Sequence, residues 1–152
     1  MLGLLALLLA TNGCANTVIL DGKPLIGGPT EFCIREVVRV RLDDEPFIAL
    51  RVEAPHRFEK RIRSRVFIYR VRAGRLVPRF LGSGFTSREI TRLFVLDGAI
   101  GLDTVSTTGA AQTLRCVFEG FPLACTELNE ALRRACRTPR KNRSSGVTQS
   151  RG

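Results

Sequence analysis

FCIREVVRVRL, running from Phe32 to Leu42, carries the pattern from which the fold class follows. Ile34, Val38, Val40 and Leu42 share one parity with Glu36, while Arg35, Arg39 and Arg41 share the other with Val37. A period of two marks a half-buried strand, because successive side chains of an extended backbone point to opposite faces. Outward from there, Phe47 to Val52 predicts a second strand. Arg65 to Val71, RVFIYRV, predicts a third, rich in the β-branched and aromatic types that suit a pleated surface. On it Arg70 shares a face with Val66 and Ile68, and Phe67, Tyr69 and Val71 form the face expected in the core. Ala73-Gly74 turns the chain into Leu76 to Leu81, where Pro78 lacks a donor and favours an edge or a bulge. After Gly82-Ser83-Gly84, Ile90 to Leu96 follows, Asp97-Gly98 makes a two-residue hairpin turn, and Ile100 to Val105 returns. Thr107-Thr108-Gly109 leads into Thr113 to Phe118, and Gly120-Phe121-Pro122 ends the sheet.

One helix is expected. Thr126 can cap ELNEALRRACR, in which Leu128, Leu132 and Ala135 fall on one face with Cys136 beside them. Glu127 and Glu130 lie in its first half and Arg133, Arg134 and Arg137 in its last turn, a polarity that complements the helix dipole. The expected fold is therefore mainly β. It is an antiparallel meander of about seven strands, a small sandwich or barrel-like sheet, with one C-terminal α-helix. The 152 residues suffice for one domain plus ends. The expected layout is a signal peptide over 1–13, a linker over 14–30, the β-rich domain with its helix over 31–137, and a basic disordered tail over 138–152.

Charge is unevenly placed. Lys and Arg number 24 against 14 acids, a net +10. Seven basic and no acidic residues lie between Arg133 and Gly152, which leaves the other 132 residues at only +3. Within the body, Arg57, Lys60, Arg61, Arg63, Arg65, Arg70, Arg72, Arg75 and Arg79 face a single acid, Glu59. Such a stretch is a candidate surface for anionic lipid, polysaccharide or nucleic acid. The candidates for polyanion contact are Arg57, Lys60, Arg61, Arg63, Arg65, Arg70 and Arg72; the plainer reading is a set of solvated arginines.

Leu2 to Ala10 is an apolar run, LGLLALLLA, followed by Thr11, Asn12, Gly13 and Cys14. A short apolar core ending in a small residue before cysteine is similar to a bacterial lipoprotein signal. The resemblance implies cleavage before Cys14 and a diacylglycerol on its thiol, holding the protein at a bilayer. Five cysteines then become one anchor and four others, Cys33, Cys116, Cys125 and Cys136. None is spaced like a zinc pair, so in an oxidising compartment the expectation is two disulfides, Cys33 with Cys116 and Cys125 with Cys136.

VFIYRVRAGRLVPRFLGSGFTSREITRLFVLDG, Val66 to Gly98, resembles a blade-like repeat of bacterial lipoproteins with FG-GAP or propeller-like repeats, and LRCVFEGFPL, Leu114 to Leu123, is similar to the closing strand of such a unit. The resemblance implies a β-meander in an exported protein. The acidic calcium loop of that family is absent, since Ala99-Ile100 follows Asp97-Gly98, so no metal is implied.

Catalytic constellations are sparse. His56 is the only histidine, and Ser83 lacks the glycine two residues earlier that a nucleophile elbow needs, since Leu81 stands there. Asp43, Asp44 and Glu45 read as a solvated turn between two strands. No phosphate-binding or dinucleotide fingerprint occurs. The expectation is an exported, lipid-anchored, non-enzymatic protein without cofactor. It would sit at the periplasmic face of the inner or outer membrane, as a binding or structural module with a lipid, polysaccharide or protein partner. The alternative is a small cytoplasmic polyanion- or nucleic-acid-binding module using Arg57–Arg79 and the tail; export argues against nucleic acid.

Overall fold

Two-residue turns organise most of the chain. The computed structural model describes residues 14–55, 62–82 and 87–128. In them β1 (Ile19–Leu20) and β2 (Lys23–Pro24) form a small hairpin. One four-stranded sheet contains β3 (Cys33–Leu42), β4 (Glu45–Pro55), β5 (Ile62–Arg72) and β6 (Arg75–Phe80), side by side in chain order. A second contains β7 (Glu89–Leu96), β8 (Ala99–Val105), β9 (Ala111–Phe118) and β10 (Leu123–Glu127), again in chain order. Every pairing between these strands is antiparallel.

The tight turns share one chemistry. Asp21-Gly22, Asp43-Asp44, Ala73-Gly74 and Asp97-Gly98 each put both central residues at positive φ, as at Asp97 (46°) and Gly98 (71°). That is the mirror-image turn whose twist matches the strands it joins, and it favours Asp, Asn and Gly because they tolerate the left-handed region. Ala73, at φ 49°, is the one residue of these turns outside that group.

The first sheet is covered on both sides. Its inner face presents Val40, Leu42, Phe47, Ala49, Val66 and Ile68 to Ile90, Leu93, Ile100, Leu102, Cys116 and Phe118 of the second sheet. Its outer face presents Ile34, Ile48, Leu50, Val52, Phe67, Tyr69 and Leu76, and the N-terminal segment covers them with Ala15, Val18 and Leu25. Residues 14–30 thus do more than connect: they form a strap whose apolar side chains complete a second core. Four consecutive β4 residues, Phe47, Ile48, Ala49 and Leu50, are buried as a result.

A bulge sorts β3 between the two cores. The register shifts between Ile34, opposite Val52, and Glu36, opposite Arg51. Ile34 therefore faces the strap, while Val38, Val40 and Leu42 face the second sheet. The single apolar face expected for Phe32–Leu42 is corrected: one extra residue flips everything before it to the other side. Glu36 turns inward beside Arg51, which pairs with it and also donates to Ser64 Oγ at 3.0 Å. The same carboxylate accepts the Leu93 N–H of β7 at 2.9 Å, joining the edges of the two sheets. At the far end of that face Arg70 makes a two-pronged ion pair with Glu45.

Both edges of the first sheet are occupied. Ala15 pairs with Ile34 on β3, and Ile26 pairs with Arg75 on β6, exchanging Ile26 N to Gly74 O at 3.1 Å and Leu76 N to Ile26 O at 2.7 Å. Pro78, further along β6, has no N–H to offer. Such devices blunt the tendency of open edges to recruit other strands.

Several expectations change. Among the described residues the strand count rises to ten in three sheets, because the strap adds a hairpin and β10 adds a strand. Gly120-Phe121-Pro122 turns β9 into β10, rather than ending the sheet. Thr126, expected as a helix cap, lies in β10 opposite Arg115. No C-terminal helix occurs among the described residues, and 129–137 of the expected helix, the tail and residues 1–13 lie outside them.

Candidate functional site

Two features of the sequence were candidates for function, the cysteines and the basic stretch, and the fold adds a cleft. Cys14 is bonded to Cys33, with Cα atoms 5.1 Å apart, and Cys116 to Cys125, with Cα atoms 4.1 Å apart. The expected pairings of Cys33 with Cys116 and Cys125 with Cys136 are corrected. Cys33 is at the strap end of the first sheet, whereas Cys116 is in the core of the second and directly opposite Cys125. The register that places Cys125 there follows from β10 being a strand. Cys136 lies outside the described residues. The bond at Cys14 uses the sulfur that a lipid thioether would need, so one chain carries either the bond or the lipid.

Among the described residues, the basic stretch does not gather into one face. Arg57, Lys60 and Arg61 lie outside the described residues. Arg63 and Arg65 share the strap-facing parity of β5, opposite Ala54 and Val52. Arg65 donates to Leu81 O at 3.0 Å and stacks over Phe67, and burial pushes its guanidinium down from its usual range. Arg70 is on the other face, and its hydrogen bond to Glu45 holds that carboxyl below the usual carboxylate range. Glu45 is thus an ion-pair partner as well as part of the acidic turn. Arg72 is exposed at the hairpin end, opposite Arg75. Arg79 donates to Gly120 O and Phe121 O, each at 2.9 Å, and lies over the Phe118 ring at 4.0 Å. It clamps β6 to the β9–β10 turn and leaves Phe121 84% exposed.

One cleft with largely apolar walls was not singled out from the sequence. Its volume is about 360 Å³, and it is lined by Leu20, Arg39, Val40, Arg41, Pro46, Phe47, Ile48 and Val71. Leu20 of β1 meets residues of β3, β4 and β5 there. Arg39 and Arg41 sit on β3 opposite Ile48 and Pro46, on the parity that faces the strap. Their shared parity was a visible signal; the apolar residues opposite them depend on the cross-strand register. Asp21 Oδ1 lies 3.8 Å from Arg39 Nη1, with both side chains more than half exposed. Arg41 donates to the Asp44 carbonyl at 2.6 Å.

Tyr69, beside the cleft residues in the outer core, is pushed up to about 12 by burial. Among the described residues no three His, Cys, Asp or Glu side chains are grouped as metal ligands, and no helix is long and apolar enough to cross a membrane.

No protein-family model, curated protein or solved structure matches the chain.

Proposed function

We propose that the protein is an exported, non-enzymatic component of the bacterial cell envelope that acts as a binding or structural module. The observation that carries this reading is the Cys116–Cys125 bridge, which forms whether Cys14 carries a lipid or is bonded to Cys33. Disulfides persist in oxidising compartments and are reduced in the cytosol. The apolar run Leu2–Ala10 ahead of Cys14 supports export and adds a lipid anchor on Cys14. That anchor carries a chemical requirement. In the anchored form the Cys14 sulfur is a thioether and Cys33 holds a free thiol; in the bridged form the protein is exported without that anchor.

The experiment is metabolic labelling with a palmitate analogue, comparing the native protein with Cys14→Ser, together with cell fractionation and counting of free thiols. Label in the envelope fraction that disappears in Cys14→Ser, with one more reactive thiol than the bridged form, is the expected result. Unlabelled periplasmic protein with both bridges removes the anchor and keeps the exported module. Unlabelled cytosolic protein with reduced thiols overturns the whole reading.

A further inference from the structure

We propose that the cleft between the strap and β3 binds the carboxylate end of a free medium-chain fatty acid. The cleft combines two things that such a ligand needs. Its walls include Leu20, Pro46, Ile48 and Val71, apolar surface for an aliphatic chain. Its margin carries Arg39 and Arg41 on one strand. Side chains two apart on a strand leave the same face roughly 7 Å apart at the backbone, so two long guanidinium side chains can converge on one small anion. A guanidinium has about five N–H donors, in a fork that matches a carboxylate. The Asp44 carbonyl engages one terminal nitrogen of Arg41.

The margin already faces one carboxylate. Asp21, on the β1–β2 turn, approaches Arg39 only to 3.8 Å, with 52% of the Arg39 side chain and 58% of the Asp21 side chain exposed. Exposed pairs of this kind contribute little and separate readily. Asp21 is thus an intramolecular competitor, and the incoming carboxylate takes its place. The volume of about 360 Å³ lies at the small end of the range for small-molecule sites, which suits one short chain rather than a polymer.

This deepens the reading of the protein as a binding module and is independent of where the protein resides. The full chain, purified with its disulfides intact, is titrated calorimetrically with decanoate below its micellar concentration, with decanol and anionic phospholipid vesicles as parallel arms. Saturable binding of one decanoate per chain is expected. Arg39→Gln with Arg41→Gln should weaken decanoate by roughly tenfold or more, the loss of about one charge-assisted hydrogen bond, while decanol is bound as before. Asp21→Asn should tighten decanoate, a gain that a damaged fold does not produce. Circular dichroism checks that each variant is folded. Absence of saturable binding, affinity indifferent to both arginines, or arginine-dependent binding of vesicles without binding of decanoate overturns the proposal. None of these results bears on export, which the labelling and fractionation decide separately.

Discussion

The two four-stranded sheets have the same strand count and the same order, yet their strands are built differently. In β4 of the first sheet, Phe47 to Leu50 are all buried. In β7 of the second, buried Ile90 and Leu93 are separated by exposed Thr91 and Arg92. The first sheet has a layer on each face, the second sheet and the strap, so its strands need apolar side chains in both directions. Among the described residues the second sheet has one packed face, and its outer surface is closed locally instead. There the Phe94 ring lies over Gly101 so closely that an added Cβ would sit 2.5 Å from it, and Arg92 stacks over Phe94 at 4.3 Å. A single ring on a glycine does for β8 what a whole segment of chain does for β4. Two-sided burial is therefore a property of what covers a strand, not of the sheet's topology.

The strongest way to break this comparison is to hollow each core in turn. Leu50 lies under the strap and Ile100 lies between the sheets, both at 0% exposure. Leu50→Ala and Ile100→Ala should each cost about 2–5 kcal/mol in urea unfolding. A cost for Leu50→Ala below about 1 kcal/mol would mean the strap is only a loose cover, since full burial and a cavity term should exceed that.

Releasing the strap comes next. In the bridged form the Cys14–Cys33 bond spans 19 residues, and replacing both cysteines by serine should remove about 3 kcal/mol on the chain-entropy account. It should also lower the ionisation midpoint of Tyr69 from about 12 toward 10, read by its ultraviolet absorbance with no other tyrosine to confuse the signal. The sign follows from the raised value. Folding favours neutral Tyr69, so its contribution is fully present below about pH 10 and is lost as pH rises through about 12. Unchanged ionisation in the released variant would show that the sheet, not the strap, buries the ring.

Smaller effects test how the two sheets are joined. Glu36→Gln weakens the pairing with half-buried Arg51 and the bond to Leu93 N, and should cost about 1–3 kcal/mol by thermal unfolding. Faster hydrogen exchange at Leu93 would place the loss at that junction. Glu53→Gln removes the 3.0 Å ion pair with Arg35 on an outer strand, where both side chains are about one-third exposed, and should change stability by about 0–1 kcal/mol. A larger loss would mean this pair helps seat the strap end of β3.

Much of the strand layout was legible because local chemistry controls it. Asp97-Gly98 and Ala73-Gly74 announced their hairpins, and Pro78 announced the edge strand β6. The continuous runs FIAL and VFIY were signals of two-sided burial, although β5 was expected to have one core face. What stayed hidden depends on distant partners. The bulge after Ile34 appears only once β4 fixes the register, and it reverses the face on which Ile34 packs. Thr126 and Glu127 were read as a helix cap and first helical residue because they and the following LNEALRRACR imitate a helix start, whereas β9 holds Leu123–Glu127 as a strand. The candidate site was less legible still. Arg39 and Arg41 were visible on one parity, but the apolar wall beside them is assembled from β1, β4 and β5. The stretch Arg57–Arg79 is a cluster in sequence, but its described members Arg65 and Arg70 lie on opposite faces of the sheet.

The two bridges have a consequence for how the protein is made. Cys14 and Cys33 are the first two cysteines of the sequence, and Cys116 and Cys125 the third and fourth. If the chain is exported as proposed, delivery N-terminus first presents them to an oxidant in that order. Pairing each thiol with the next to arrive produces both native bonds and leaves Cys136 as the last to emerge. Disulfide reshuffling is a slow process, taking seconds to hours. Correct oxidation of this chain needs no reshuffling when it keeps pace with delivery, whereas oxidation of the completed, unfolded chain lets five thiols compete.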